Sequence, residues 1–195
     1  MIKQLVLATR NKNKVVEMQQ LLHHLGVTVT SALDYPQLED VEEDAPTLEG
    51  NAIKKCNYVA AALGLPSLSD DTGLEVEALG GAPGVYSARY SGPGATYQSN
   101  VQKLLSELDN TTNRNAQFRS VMALSIDGHI HTFEGIVRGE ISTEEAGKGG
   151  FGYDPVFIPH GYTKTFAELP AELKNEISHR GRAIAQVIEF IAGLK

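Results

Sequence analysis

The chain has 195 residues, of which 17 are lysine or arginine and 24 are aspartate or glutamate, so its net charge at pH 7 is -7. A chain of this length can bury a core without disulfides or metals, and we expect one domain with two lobes over residues 1–195. The negative net charge argues against sequence-independent binding of nucleic acid through a basic surface. Any phosphate that the protein binds must therefore meet a local cluster of side chains.

The single cysteine, Cys56, excludes an internal disulfide and a cysteine-based zinc site, and it is typical of a reducing compartment. The apolar run over residues 1–8 is too short for a signal peptide, and no run approaches the ~20 residues of a membrane span. We therefore expect a cytoplasmic protein with no membrane contact.

A strand, a basic turn and a helix are predicted at the start of the chain. Residues 2–8 are mostly apolar, which predicts a strand buried on both faces. After a polar turn, apolar residues recur at helical spacing until Gly26. The turn contains Thr9, Arg10, Asn11, Lys12, Asn13 and Lys14. The start of a helix attracts anions, so this turn is either a phosphate site or a solvated helix start. It lacks the glycines of a Walker loop.

A valine- and threonine-rich segment, residues 27–33, predicts a second strand. Five acids in six positions follow at residues 39–44. This run is either a solvated loop or a mobile loop that supplies one metal ligand to a distant site.

The next helix is predicted to begin at Thr47 and to end at Gly64. Asn51 and Lys55 lie four residues apart and therefore point the same way. Because the helix leads directly to the next predicted strand, Lys55 is either a surface charge or a neighbour of the acids at that strand's end.

The apolar run that follows this helix predicts a buried strand. It ends in two adjacent carboxylates, Asp70 and Asp71, which are followed by Thr72 and Gly73. Adjacent carboxylates repel each other and are depleted from strands, so they require a divalent cation or a fixed basic group. Oxygen ligands of this kind suit Mg2+ or Mn2+. The alternative is a solvated turn, in which this sequence is common.

The second half of the chain begins with a predicted strand over residues 73–78 and a helix over residues 94–108. A hairpin follows, with a two-residue turn at Asp127-Gly128. A glycine-rich segment, residues 146–155, then allows the backbone to approach a ligand closely, and its two aromatics could stack on a planar ring. Its alternative interpretation is a flexible turn with buried aromatics.

The consecutive polar residues Ser178, His179 and Arg180 are predicted to lie within one helix near the end of the chain, so they cannot all face one way.

Together these motifs resemble the inosine triphosphate pyrophosphatase family, which removes non-standard purine nucleoside triphosphates from the nucleotide pool. The matching segments span nearly the whole chain, in order: residues 7–14, Asn51-Ala52 with Lys55, and residues 69–74, 80–89, 149–155 and 177–181. The resemblance implies an α/β fold with an elongated mixed sheet, flanking helices and two lobes around a central nucleotide cleft. It also implies a single pyrophosphatase domain and a homodimer.

In such enzymes water attacks the α-phosphorus of ITP, dITP or XTP, and pyrophosphate and the monophosphate are released with Mg2+ required. The resemblance implies that Asp71 is the general base or a metal ligand and that Lys55 neutralises phosphate charge. Metal ligands are expected among Glu42, Glu43, Asp70 and Asp71, with the choice between the two glutamates open. Substrate contacts are expected from Thr9, Arg10, Asn11, Lys12, Asn13, Lys14 and Thr72 on the phosphate side, and from Phe151, Gly152, Tyr153, Asp154, Lys174, His179 and Arg180 on the purine.

The chain departs from the family pattern at Gly50, where a glutamate would complete a capping box. The alternative function is a non-catalytic nucleotide-binding regulatory module, which would not need a general base at Asp70-Asp71. A third hypothesis is a related pyrophosphatase that acts on pyrimidine or damaged nucleotides.

Overall fold

The computed structural model describes residues 2–194, so the ends of the predicted domain, Met1 and Lys195, lie outside the described residues. It has a mixed α/β fold with flanking helices, which confirms the predicted fold class. The strands are β1 (Gln4–Leu7), β2 (Thr28–Ser31), β3 (Ser67–Val76), β4 (Pro83–Gly84), β5 (Asn115–Ile126), β6 (His129–Ile141) and β7 (Phe157–Pro159). The helices are α1 (Lys12–Leu22), α2 (Leu48–Leu63), α3 (Tyr97–Glu107), α4 (Ala171–Ile177) and α5 (His179–Gly193).

The strands are hydrogen-bonded in the order β2-β1-β3-β5-β6-β7, and β4 pairs with β3. The chain divides into two compact units. Unit 1 contains the residues up to Asp71, residues 120–135 and the residues from Arg180 onward, and unit 2 contains residues 72–119 and 136–179. Among residues 2–194, no helix is long and apolar enough to cross a membrane.

In unit 1, β1 pairs in parallel with β2 and with β3, and Leu7 lies opposite Leu68 of β3. The carboxyl ends of neighbouring parallel strands meet at one edge of a sheet, so this register brings the turn after β1 close to the acids of β3. Leu5, Val6 and Leu7 are fully buried, as expected for a strand covered on both faces. The core of unit 1 thus fixes the position of the acidic pair.

The prediction that a strand ends at the acidic pair is wrong, because β3 continues through Asp70 and Asp71 to Val76. The two carboxylates are tolerated inside a strand because nearby cations compensate them, as described below. The prediction of one helix through Ser178 is also wrong. Ser178 has an extended backbone and separates α4 from α5, so His179 and Arg180 begin a new helix.

Unit 2 has its own apolar core, built around an aromatic cluster of Phe118, Phe157 and Phe166. In it, β6 and β7 form an antiparallel pair in which Gly139 lies opposite Pro159. This core includes Tyr153 of the glycine-rich segment and Val156, which directly follows that segment.

Candidate active site

Asp71 is the centre of a buried cluster in unit 1. Lys55 Nζ lies 3.2 Å from Asp71 Oδ1, and Asn51 Nδ2 donates a hydrogen bond of 3.1 Å to Asp71 Oδ2. Lys55 Nζ also donates to the backbone carbonyl of Asp70 at 2.8 Å. The prediction that Asn51 and Lys55 share one face of α2 and that Lys55 lies near the acids is therefore confirmed.

The acidic loop before α2 brings one of its glutamates to the same lysine. Glu43 Oε1 lies 2.5 Å from Lys55 Nζ, whereas Glu42 is exposed. Three backbone or ionic contacts hold the loop in place: Glu39 N donates to Tyr58 Oη, Lys54 pairs with Asp44, and Ala45 N donates to Asn51 Oδ1. Glu43 and Asp71 therefore converge on one ammonium group.

Asp70 is fully buried and is held by a different set of cations. Arg180 Nε and Nη2 donate to Asp70 Oδ2 at 3.2 and 3.1 Å, and Lys14 Nζ lies 3.2 Å from Oδ1. Arg180 Nη1 also donates to Glu17 Oε2 at 2.5 Å. Arg180 thus serves as a counter-ion of Asp70, a role that the sequence did not predict.

The two neighbouring acids have pKa values shifted in opposite directions. Burial alone would raise the pKa of Asp70, but the charges of Lys14 and Arg180 outweigh it and hold that pKa well below its usual range. At Asp71, burial raises the pKa by more than Lys55 and Lys14 lower it. Asp70 is therefore a fixed negative charge, whereas Asp71 binds a proton more readily.

Lys55 keeps its charge despite its burial. Desolvation acts to lower the pKa of this lysine, but the carboxylates of Asp71 and Glu43 together raise it above its ordinary value. In return, the pKa of Glu43 lies below its usual range, because Lys55 outweighs the effect of partial burial. The cluster thus contains a permanent cation between two carboxylates.

The four acids among which metal ligands are expected lie in different surroundings. Glu42 is exposed, and Asp70 is enclosed by Lys14 and Arg180. Within residues 2–194, no group of three or more His, Cys, Asp and Glu side chains is placed to hold a metal. Glu43 and Asp71 remain as a pair. Mg2+ is usually held by one or two carboxylates with water and substrate phosphates, so this pair fits it.

The basic turn after β1 starts α1 with its own cap. Asn11 Oδ1 accepts hydrogen bonds from the backbone N–H groups of Asn13 and Lys14, at 3.0 and 3.3 Å, and Thr9 Oγ1 accepts from Asn11 N. Arg10 pairs with Asp40 at 3.0 Å. Lys12 and Asn13 are exposed at the start of the helix, where an anion would be favoured.

Three of the predicted purine contacts come together in unit 2. Asp154 Oδ2 accepts hydrogen bonds from Phe151 N at 2.8 Å and from Lys174 Nζ at 2.6 Å. Lys174 Nζ also lies 5.1 Å from the centre of the Phe151 ring. Gly150 has φ +68°, and a Cβ there would collide with the Asp154 carboxylate, so only glycine allows this turn. Gly152, with φ +66°, completes the turn.

Tyr153, a further predicted purine contact, is more buried than Phe151. This ring is part of the core of unit 2, and its hydroxyl donates to Ser87 O at 2.9 Å. With only 5% of the residue exposed, Tyr153 supports the loop from inside, and its contact with a purine stays a prediction. Thr72, directly after Asp71 in β3, is half-buried.

Sequence reasoning missed two side chains that orient predicted site residues. The His179 ring stacks on Phe118, with 4.6 Å between ring centres and 18° between planes. Glu17 binds Arg180, and its position three residues after Lys14 was a usable signal, because such residues share a helix face. The signal for Phe118 was weaker, since any buried strand aromatic looks the same in the sequence.

Comparison with known proteins identifies the family of this chain. The model of the Ham1 family matches residues 5–190. A dITP/XTP pyrophosphatase of Flavobacterium johnsoniae is 48% identical over 191 residues, which cover 98% of this chain and 99% of that protein. One from Geobacter sulfurreducens is 50% identical over 184 residues, covering 93% and 92%.

Two solved structures are similar to this chain over nearly its whole length. The structure of a HAM1 protein from Coxiella burnetii matches 99% of this chain and 100% of its own, with 39% identity and a TM-score of 0.90. The Staphylococcus aureus Ham1 protein matches with the same coverage, 41% identity and a TM-score of 0.88. The chain described here therefore belongs to the Ham1 family.

Proposed function

We propose that this protein hydrolyses dITP, XTP and ITP to the nucleoside monophosphate and pyrophosphate. The observation that carries the proposal is the setting of Asp71, a buried carboxylate with a raised pKa that is held between Asn51 and Lys55. Relatives that are 48 to 50% identical and named dITP/XTP pyrophosphatases support the substrate class. A positioned base argues against a non-catalytic binding module, which does not need one.

In the proposed reaction Asp71 accepts a proton from the attacking water. The water oxygen forms a bond to the α-phosphorus while the bond from that phosphorus to the bridging oxygen of the β-phosphate breaks. Pyrophosphate leaves with the electron pair of the broken bond. The raised pKa of Asp71 improves proton transfer at neutral pH, and the positive charge of Lys55 offsets charge on the phosphate oxygens.

Glu43 and Asp71 are the proposed ligands of Mg2+. Glu43 is preferred to Glu42 because it shares Lys55 with Asp71, whereas Glu42 is exposed. When bound, the metal would add positive charge at the triphosphate oxygens. Mn2+ also takes oxygen ligands and is the expected substitute. The turn from Thr9 to Lys14 and Thr72 are proposed to contact the phosphates.

Unit 2 is proposed to recognise the base through Phe151, Asp154, Lys174 and His179. Phe151 offers a ring for stacking, and Lys174 and His179 offer donors. A 6-oxo group accepts such hydrogen bonds and the 6-amino group of ATP does not, so ATP would leave a buried donor unpaired. Arg180 stays a predicted purine contact; in the structure its Nε and Nη2 donate to Asp70 and its Nη1 donates to Glu17.

We propose further that the enzyme is a homodimer that acts on the cytoplasmic nucleotide pool. A reducing compartment matches the free thiol of Cys56, which is buried against Ser67. Size measurement of the purified protein by light scattering tests the dimer separately from the activity.

The test of the function is pyrophosphate release from ITP, XTP, dITP, ATP and dTTP by the purified protein, with Mg2+ and with a chelator. We expect release from the three purine substrates with a 6-oxo group, much slower release from ATP and dTTP, and loss of the activity with the chelator. Binding of ITP without release of pyrophosphate would instead support the non-catalytic module. Preferential release from dTTP would indicate a pyrimidine substrate.

A further inference from the structure

Asn51 makes two hydrogen bonds that together fix the orientation of its amide group. Its Oδ1 accepts from the backbone N–H of Ala45 at 3.0 Å, and its Nδ2 donates to Asp71 Oδ2 at 3.1 Å. A backbone N–H can only donate and a carboxylate can only accept, so the amide cannot be turned over without losing both bonds. The side chain is also almost fully buried, with 1% of the residue exposed.

A second asparagine in the chain has the same local setting without a carboxylate. Asn51 and Asn100 are each the fourth residue of a helix that is capped by threonine, Thr47 and Thr96 respectively. In both, Oδ1 accepts a backbone N–H from the preceding segment, which at Asn100 is that of Ser91 at 2.8 Å.

The two asparagines differ in what their Nδ2 groups contact. Asn100 Nδ2 donates to the backbone carbonyls of Ser87 and Ala88, at 3.3 and 3.2 Å, so all of its side-chain hydrogen bonds are to backbone groups. Asn51 makes one bond of that kind and directs its donor to a side chain in the candidate active site. Anchoring of a chain segment to a helix therefore accounts for all of the side-chain hydrogen bonds of Asn100. It accounts for only one of the two made by Asn51.

We propose that Asn51 is a positioning residue for the reaction: it fixes the carboxylate of Asp71 and ties it to the loop that carries Glu43. The hydrogen bond from the amide to Oδ2 restricts rotation of the carboxylate about its Cβ–Cγ bond and keeps Oδ1 directed at Lys55. Through Ala45, two residues after Glu43, the same amide sets the distance between the loop and β3. The inference rests on the proposed function, because it assumes that Asp71 is the base.

The geometry sets what loss of this contact does. Lys55 Nζ alone would still attract Asp71, but an ammonium group with freely rotating donors does not fix the plane of a carboxylate. Misplacement of a reacting group by about 1 Å can cost about 100-fold in rate. Asn51 itself makes no proposed contact with the nucleotide, so the expected loss lies in kcat and not in KM.

The test compares Asn51→Ala with the matched control Asn100→Ala, with kcat and KM for ITP and melting temperature measured on each. Both variants lose a buried amide, and we expect similar drops in melting temperature. For Asn51→Ala we expect kcat to fall by about 10- to 100-fold with KM within about threefold. For Asn100→Ala we expect kcat within about twofold of the wild type. Equal kcat values in the two variants would overturn the proposal.

Asn51→Asp decides the matter if Asn51→Ala does not fold. The new carboxylate can still accept from Ala45 N–H, but it presents an acceptor and a like charge to Asp71. We expect hydrogen exchange at the Ala45 amide to stay slow while kcat falls by at least tenfold. Near-normal kcat in this variant would refute the positioning role. If the wild type releases no pyrophosphate at all, the proposed function has failed instead, so the two failures are distinct.

Discussion

Asp70 and Asp71 are neighbours in one strand, yet their surroundings give them different chemistry. Successive side chains of a strand point to opposite faces. Asp70 meets Arg180 and Lys14 on one side, and Asp71 meets Asn51 and Lys55 on the other. The first carboxylate has a lowered pKa and the second a raised one. Where the environment separates the pKa values of two acids, their roles separate as well.

The difference lies in the balance between burial and positive charge. Asp70 has two cations within salt-bridge distance of its oxygens, and one of them, Arg180, makes two hydrogen bonds to it. Asp71 has one cation, which it shares with Glu43. The negative charge of Asp70 is therefore balanced by Arg180 and Lys14, whereas Asp71 keeps the capacity to take up a proton.

Replacement of Asp71 tests the catalytic side of this comparison and has the largest expected effect. For Asp71→Asn we expect kcat for ITP to fall by about 100- to 10,000-fold, the range that a general base contributes, while nucleotide affinity changes little. Kinetics and equilibrium binding of ITP measure the two quantities. A variant with a near-normal rate would remove Asp71 from the base role.

Replacement of Asp70 tests the structural side. Asp70→Asn leaves the buried Arg180 and the half-buried Lys14 with reduced counter-charge, and removal of one partner from a buried ion pair costs about 3–5 kcal/mol. We expect the free energy of unfolding to fall by about that amount in urea titrations at pH 7. Glu17, which also binds Arg180, places the cost at the lower end. A variant as stable as the wild type would show that Asp70 is not the anchor of this network.

The lowered pKa of Asp70 predicts how the stability of the folded protein depends on pH. The pKa of Asp70 is lower in the folded protein than in the unfolded chain, so its contribution is fully present above about pH 4. It is lost as the pH falls further and the unfolded chain takes up the proton first. The stability difference between wild type and Asp70→Asn should therefore stay constant from pH 7 to about pH 5 and shrink below about pH 4. A constant difference across this whole range would contradict the prediction.

Features that depend on neighbouring residues in the chain could be predicted from the sequence. The cap at Thr47, the end of α2 at Gly64 and the two-residue turn at Asp127-Gly128 all follow from local chemistry. The shared face of Asn51 and Lys55 follows from helical spacing alone. For these features the local preference agrees with the fold.

Features that depend on distant partners could not be predicted. The continuity of β3 through two acids needs Arg180, 110 residues away from Asp70. Without that partner, the acids argued for a strand end. The burial of Tyr153 likewise depends on Ser87, 66 residues earlier, and a tyrosine among glycines gives no sign of it.

Which of Glu42 and Glu43 is the metal ligand could not be predicted either. The two glutamates are adjacent in the sequence, and only the path of the acidic loop distinguishes them. Glu43 shares Lys55 with Asp71, and Glu42 is exposed. For Glu43→Gln we expect the Mg2+ concentration that gives half of the maximal rate to rise by about tenfold or more, and for Glu42→Gln we expect a change within about twofold. Both variants lose one negative charge from the same loop, so a general electrostatic effect would move them equally. A larger shift in Glu42→Gln would place the ligand on the exposed side of the loop and would require Lys55 to hold Glu43 for structural reasons alone.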